Sequence, residues 1–160
     1  MKAAYDFIRL KGENDIILYG VSLGAATILR AMNEYSLSPE KIILEMPFGS
    51  LEKAVEGRVK LMRLPVQPTS SLLTFWGGLE NGFWAFGFKP TEYAYKIHCP
   101  VLLQWGKLDT RVSEAETDSI YSHFISSNKK IVKYSMSGHQ SLCKNEHEKW
   151  ITGVSDFLKK

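Results

Sequence analysis

A serine flanked by glycines is the first group in this sequence that could do chemistry. Residues 20–24 read GVSLG and follow the pattern G-x-S-x-G, with Ser22 at the centre. A serine hydroxyl becomes a nucleophile when a neighbouring base takes its proton, and the base needs an acid to orient it. In a sharp turn from strand to helix, the serine backbone is strained and the hydroxyl points out of the turn. The pattern therefore predicts a nucleophile if a strand precedes it and a helix follows.

Both flanking elements are indicated by the sequence. Residues 16–19 (IILY) form a continuous apolar run, typical of a strand buried on both faces. One helical face follows at the expected spacing: Ala25, Ile28, Leu29 and Met32. We expect the strand and helix to approach so closely that a side chain at Gly20 or Gly24 would clash. The N–H of Leu23 is a candidate donor to an oxyanion, although Ser22 could instead simply cap the helix.

Two later loops carry a candidate acid and a candidate base. Asp109 follows the third predicted strand, and His139 follows the fourth. The carboxyl ends of parallel strands meet at one edge of an open α/β sheet, where sites assemble. Serine, acid and histidine occur here in one of the known chain orders of catalytic triads. We expect Gly106 and Gly138 to let the two loops turn sharply over the sheet edge.

Each of these candidates has an alternative. Asp109 could cap the turn that follows it, and Glu45, at the end of the second predicted strand, is a competing acid. His139 could be a loop histidine without a role. Three other histidines lie at a strand entrance or on predicted helices and are weaker candidates for the base: His98, His123 and His147.

The elements that must position these groups alternate along the chain. The predicted strands are residues 16–19, 42–44, 101–105 and 131–134. Besides the helix after Ser22, helices are predicted at residues 2–10 and from 113 to about 124. Another helix is predicted after a Ser50 cap, with one apolar face: Leu51, Val55, Val59 and Met62. A last helix is predicted at the end of the sequence, with an apolar inner face: Trp150, Ile151, Val154, Phe157 and Leu158. This alternation predicts a mostly parallel α/β sheet flanked by helices. The aromatic-rich interval 61–91 breaks the pattern, and we interpret it as a cap-like insertion.

Composition limits the classes of function. With 160 residues, 44% of them hydrophobic, the chain can form one domain with a core. The net charge is +3 and no basic block is present, so we expect no nucleic-acid partner. The two cysteines predict neither a disulfide framework nor a metal site. We find no signal peptide and no apolar run of about 20 residues, so the default expectation is a cytoplasmic protein.

Four segments together resemble the α/β-hydrolases, and most closely their serine aminopeptidase-like and acyl-thioesterase-like branches. The segments are 18–25 (LYGVSLGA), 44–48 (LEMPF), 100–109 (PVLLQWGKLD) and 137–139 (SGH). Those branches carry Glu-Ser-Pro-Phe where this chain has Met46 in place of the serine. The resemblance covers nearly the whole chain except 61–91. It implies an eight-stranded, mostly parallel sheet and a catalytic triad of Ser22, Asp109 and His139.

The resemblance also implies that four strands and a second oxyanion donor would precede Met1. We therefore expect the C-terminal part of a hydrolase, with little activity alone and possible self-association through an unpaired sheet edge. The expected reaction is cleavage of an ester, thioester or amide in a small acyl substrate through an acyl-enzyme, without metal or cofactor. The alternatives are a truncated, inactive module that binds a partner protein and an acyltransferase.

Overall fold

Four parallel strands form the sheet in the computed structural model, which describes residues 1–159. The strands are β1 (Ile17–Val21), β2 (Lys41–Glu45), β3 (Val101–Gly106) and β4 (Lys129–Tyr134). The helices are α1 (Lys2–Leu10), α2 (Leu23–Tyr35), α3 (Leu51–Leu61), α4 (Val66–Glu80), α5 (Pro90–Tyr93), α6 (Glu114–His123), α7 (Leu142–Asn145) and α8 (His147–Leu158). Short 3-10 turns cover Ala85–Gly87 and Ala94–Lys96. The predicted α/β fold with a parallel sheet is confirmed.

The strands lie side by side in chain order, β1-β2-β3-β4. At the carboxyl ends, Val21 pairs with Glu45, Glu45 pairs with Gln104, and Gly106 pairs with Tyr134. Because all four strands run in the same direction, the loops that follow β1, β3 and β4 leave the sheet at one edge. The three predicted site residues, Ser22, Asp109 and His139, follow the strands at this edge.

Helices cover both faces of the sheet. On one face, α2 buries the apolar positions that its spacing predicts, against residues of β2 and β3: Ala25, Ile28, Leu29, Met32, Ile42, Leu44 and Leu103. On the other face, Val154 and Phe157 of α8 pack against Ile43 and Leu102. The predicted inner face of α8 is only partly correct, because Ile151 and Leu158 are exposed.

The prediction that the first strand is buried on both faces is wrong. Ile17, Tyr19 and Val21 of β1 are 41%, 52% and 40% exposed, whereas β2 and β3 are buried throughout. Within residues 1–159, β1 is an edge strand that pairs only with β2. A continuous apolar run is consistent with either position, because strand order depends on tertiary pairing that the run does not encode.

The segment 61–91 contains α4, which is kinked at Gln67 (φ −106°, ψ 138°), followed by short turns. The α4 helix packs against α3 and leaves several large apolar side chains exposed: Leu72, Leu73, Trp76 and Leu79. The interpretation of this segment as a cap remains a prediction. Residues 1–159 contain no helix that is both long enough and apolar enough to span a membrane.

Candidate active site

Ser22 occupies the turn between β1 and α2. Its backbone has φ 51° and ψ −111°, a combination that is costly for a residue with a side chain. The Ser22 N–H donates to the carbonyl of Glu45 over 2.7 Å, and the Ser22 carbonyl accepts the N–H of Ala26 over 3.0 Å. These two bonds join the turn to β2 and to α2. The strained strand-to-helix turn that the G-x-S-x-G pattern predicts is present.

The two glycines of the pattern differ in their surroundings. A Cβ on Gly20 would lie 2.7 Å from the backbone of Gly24, from the backbone of Ala25 and from the side chain of Ile28, so the predicted clash is confirmed there. The same prediction for Gly24 is wrong, because a Cβ at that position would meet no atom within 4 Å. Only the strand side of the turn is so close to the helix that glycine is required.

His139 links the serine hydroxyl to a buried carboxylate. The Nε2 atom lies 2.9 Å from Ser22 Oγ, and Nδ1 lies 2.7 Å from Asp109 Oδ2. The Asp109 side chain is fully buried and the His139 side chain is 12% exposed. An ionised carboxylate can only accept, so Nδ1 carries the proton and Nε2 is left as the acceptor for the serine O–H. The structure thus brings the three predicted side chains together in one hydrogen-bonded line.

The other carboxylate oxygen of Asp109 is held by its own loop. Oδ1 accepts the backbone N–H groups of Arg111 and Val112 over 2.7 and 3.0 Å. The alternative reading, that Asp109 caps the following turn, therefore holds at the same time as its contact with His139. Because both oxygens have donors, the carboxylate has a fixed orientation toward the imidazole.

The loops that carry acid and base are in direct backbone contact. The N–H of Leu108 donates to the carbonyl of Ser137 over 2.9 Å, and a Cβ on Gly106 would collide with that carbonyl. The Ser137 hydroxyl donates to Glu146 Oε2 over 2.7 Å. The absence of a side chain at Gly106 allows this approach, which sets the spacing between the acid and the base.

Glu45, the competing acid, belongs to a different group of side chains. It is 2% exposed, and its Oε1 accepts Trp150 Nε1–H over 2.6 Å and Gln104 Nε2–H over 3.2 Å. Burial raises the pKa of the Glu45 carboxyl, and hydrogen bonds from Trp150 and Tyr19 partly offset that effect. The described residues show no hydrogen bond between Glu45 and His139, so the geometry favours Asp109 as the orienting acid.

Leu23 is the first residue of α2 and is 61% exposed. The first N–H groups of a helix have no acceptor within the helix. The Leu23 N–H, next to the serine in the chain, therefore remains a candidate oxyanion donor, as the sequence predicts. Its position at the positive end of the helix dipole also favours an anion there.

A small cavity of about 140 Å³ opens beside the serine and the imidazole. Its lining consists of Ser22, Phe48, Ala54, Arg58, Arg111, Val112 and His139. The sequence motifs do not single out the two arginines, although Arg58 follows Ala54 by one helical turn and Arg111 follows Asp109 in the same loop. A larger cavity of about 750 Å³, between α3, α5 and α6, contains none of the three aligned side chains.

Nucleophilic acyl transfer uses a hydroxyl, an imidazole and a carboxylate arranged in a line of this kind. His139 Nε2 is placed to take the proton of Ser22 Oγ, and Asp109 is placed to stabilise the resulting imidazolium. In the described part of the chain, no three His, Cys, Asp or Glu side chains form a group that could hold a metal ion.

Comparison with known proteins gives similarity in structure only. No family model and no curated protein sequence matches the chain. An esterase from Pyrococcus furiosus superposes with a TM-score of 0.74 at 22% identity, covering 99% of this chain and 59% of that chain. An α/β fold family hydrolase from Bacillus anthracis gives 0.71 at 16% identity, covering 98% and 72%. A monoacylglycerol lipase from Paleococcus ferrophilus gives 0.66 at 16% identity, covering 99% and 74%.

The shared structure extends over nearly all of this chain, which spans 59% of the length of the Pyrococcus esterase. The resemblance noted in the sequence motifs is thus supported by the course of the backbone. The chain has the fold of part of an α/β-hydrolase.

Proposed function

We propose that this protein is a serine hydrolase that cleaves an ester, thioester or amide through an acyl-enzyme. The observation that carries the proposal is the line of hydrogen bonds from Ser22 Oγ through His139 to the buried carboxylate of Asp109. A catalytic triad is recognised by the geometry and the chemical roles of its three side chains. The chain order here, serine, then aspartate, then histidine, is also a known order of such triads.

In the first half of the proposed reaction, His139 Nε2 removes the proton of Ser22 as Oγ attacks the acyl carbonyl. Asp109 accepts the Nδ1–H bond and stabilises the imidazolium that forms. The imidazolium then protonates the leaving group, and the acyl group remains on Ser22. The strained turn at Ser22, with φ 51°, supports the proposal because Oγ lies at the helix N-terminus within hydrogen-bond distance of His139.

In the second half, His139 removes a proton from water as the water oxygen attacks the acyl-enzyme. The imidazolium then returns that proton to Ser22 Oγ as the bond between Oγ and the acyl carbon breaks and the acid is released. Negative charge develops on the carbonyl oxygen in both halves, and the Leu23 N–H is the proposed donor to it. One such donor is worth about 10²–10³ in turnover, so a second donor would contribute as much again.

An ester is the favoured substrate class. Several similar structures carry names of ester-cleaving enzymes, among them the Pyrococcus esterase and an acetyl xylan esterase from Paenibacillus. At identities of 22% and 20%, these names support the reaction type and not a particular substrate. Because the chain spans only part of those proteins, hydrolysis by these residues is itself part of the proposal.

The test is covalent labelling of the purified 160-residue protein with a fluorophosphonate probe, followed by peptide mass spectrometry. Labelling should occur at Ser22 and should disappear in Ser22→Ala. A Ser38→Ala variant is the matched control, since Ser38 is exposed and lies outside the site, and it should label normally. Circular dichroism should show the same fold for all three proteins. Equal labelling of wild type and Ser22→Ala would overturn the proposal.

A further inference from the structure

Two arginines face the cavity that contains the serine and the imidazole. We propose that Arg58 and Arg111 make this site selective for acyl substrates that carry a second, negatively charged group. This inference rests on the proposed hydrolase function and narrows it to a substrate class, namely acyl compounds with a carboxylate or phosphate near the cleaved bond. It assigns a substrate-binding role to two residues outside the line of Ser22, His139 and Asp109.

The two arginines reach the cavity from different parts of the fold. Arg58 lies near the end of α3, and Arg111 lies in the loop between β3 and α6. The backbones meet close by, since a Cβ on Gly57 would lie 3.9 Å from the carbonyl of Arg111. This approach brings the backbones of α3 and the loop together, and the side chains of Arg58 and Arg111 line the same cavity.

Neither guanidinium is neutralised by a neighbour within residues 1–159, because neither forms an ion pair there. The nearest acids along the chain have other partners. Both oxygens of Asp109 are occupied, and Glu56 Oε1 accepts the amide of Gln67 over 3.2 Å. Both arginines are solvent-exposed, so the cavity lining includes two cationic groups that have no ion-pair partner within residues 1–159.

Arg58 and Arg111 line the same cavity as Ser22 and His139, so a substrate carboxylate or phosphate bound by them would lie beside the proposed reacting groups. The guanidinium group also matches such anions with paired, charge-assisted hydrogen bonds. A negatively charged group on the substrate should therefore raise kcat/KM.

The other residues that line the cavity set a second requirement on the substrate. Phe48, Ala54 and Val112 contribute apolar walls to the same cavity. Such walls favour methylene groups over polar chains, because burying an unpaired polar group is costly. With a volume of about 140 Å³, the cavity holds only a short chain. A short acyl chain that ends in an anion would contact the apolar walls with its methylene groups and the two arginines with its charge.

The test compares two esters of equal acyl length that differ in charge. Mono-4-nitrophenyl glutarate carries a terminal carboxylate, and 4-nitrophenyl valerate does not. We expect the wild-type protein to have the higher kcat/KM for the glutarate ester. Arg58→Gln and Arg111→Gln should each lower the glutarate-to-valerate ratio by roughly ten-fold, the low end for a hydrogen bond between ionised groups. Lys60→Gln, which removes a charge from α3 outside the cavity, should leave the ratio unchanged.

A second pair of substrates locates the anion. The leaving group is charged in 3-carboxy-4-nitrophenyl acetate and neutral in 4-nitrophenyl acetate. A preference that depends on the arginines in either pair supports the proposal and says whether the anion belongs to the acyl chain or the leaving group. If both ratios are the same in wild type, Arg58→Gln and Arg111→Gln, the proposal is overturned.

Binding measurements separate this inference from the proposed reaction. Glutarate is titrated calorimetrically into Ser22→Ala protein with and without the Arg58→Gln change. Weaker binding after the arginine is removed supports the anion site even if no ester is cleaved, in which case the hydrolase proposal alone fails. Binding that does not depend on the arginine overturns the inference, whether or not Ser22 labels with the probe.

Discussion

The backbone N–H of Ser22 donates to the backbone carbonyl of Glu45 over 2.7 Å. Through this bond, the last residue of β2 holds the turn that presents the proposed nucleophile. The Glu45 side chain, in contrast, is buried and accepts hydrogen bonds from Gln104 of β3 and Trp150 of α8. Glu45 therefore supports the site from the neighbouring strand without contacting the base.

The buried Glu45 carboxyl should make stability depend on pH. Burial raises the pKa of Glu45 in the folded protein, so the folded state retains its proton at a pH where the unfolded chain has lost it. Stability should therefore fall as pH rises from about 4.3, the ordinary glutamate pKa, to the raised folded value. Glu45→Gln should remove this part of the slope. Urea unfolding from about pH 4 to about pH 7 measures it.

The control for that measurement is Glu80→Gln, which alters an exposed glutamate at the end of α4. This variant should keep the wild-type slope. An unchanged slope in Glu45→Gln would mean that the carboxyl is compensated by its hydrogen bonds and does not oppose folding at neutral pH.

The two glycines beside Ser22 should respond in opposite ways to an added methyl group. Gly20→Ala should destabilise the protein by about 1–3 kcal/mol, the typical cost of forcing an extra methyl into a packed site. The contacts at 2.7 Å include backbone atoms of α2, which cannot move aside easily. Gly24→Ala should be tolerated, since the position is open and alanine favours a helix. Equal destabilisation in urea unfolding would mean that Gly24 is packed as tightly as Gly20.

Asp109 should matter far more for hydrolysis than Glu45. Asp109→Asn retains an acceptor for the loop N–H groups but presents the wrong partner to Nδ1, so the imidazole adopts the unproductive tautomer. A loss of about 10⁴ in kcat is expected, as for the same change in other triads. Glu45→Gln should cause a much smaller loss. Ester hydrolysis and unfolding midpoints of both variants provide the measurement, and the reverse order would require Glu45 to be the orienting acid.

The parts of the site that the sequence predicts are those fixed by local geometry. The G-x-S-x-G turn depends on residues that are neighbours in the chain, and the strained Ser22 backbone follows from it. Asp109 and His139 follow predicted strands, so parallel strand order alone brings them to one edge. The Ser50 cap and the start of a helix at residue 113 are also predicted, because caps such as the capping box at Ser113 act within one helical turn.

The parts that the sequence does not predict depend on contacts between distant segments. Arg58 reaches the cavity because α3 packs on the loop that carries Arg111, and no local pattern encodes that packing. Met62 fits the helical spacing of α3 but is 63% exposed, because the helix ends at Leu61 and Met62 lies beyond it. The edge position of β1 also depends on contacts between distant segments, which the sequence of the strand does not encode.

The exposed edge of β1 leads to the last prediction, that the 160-residue protein self-associates. The strand offers unpaired backbone groups on one side within the described residues, together with the exposed side chains of Ile17, Tyr19 and Val21. Such an edge pairs readily with another strand, and a lysine on it opposes that pairing. Ile17→Lys should therefore lower the mass measured by size-exclusion light scattering. Leu72→Lys, at an exposed apolar position on α4, is the matched control and should leave the mass unchanged. Equal effects of both substitutions would assign association to apolar surface in general, and a wild-type monomer at all concentrations would contradict the prediction.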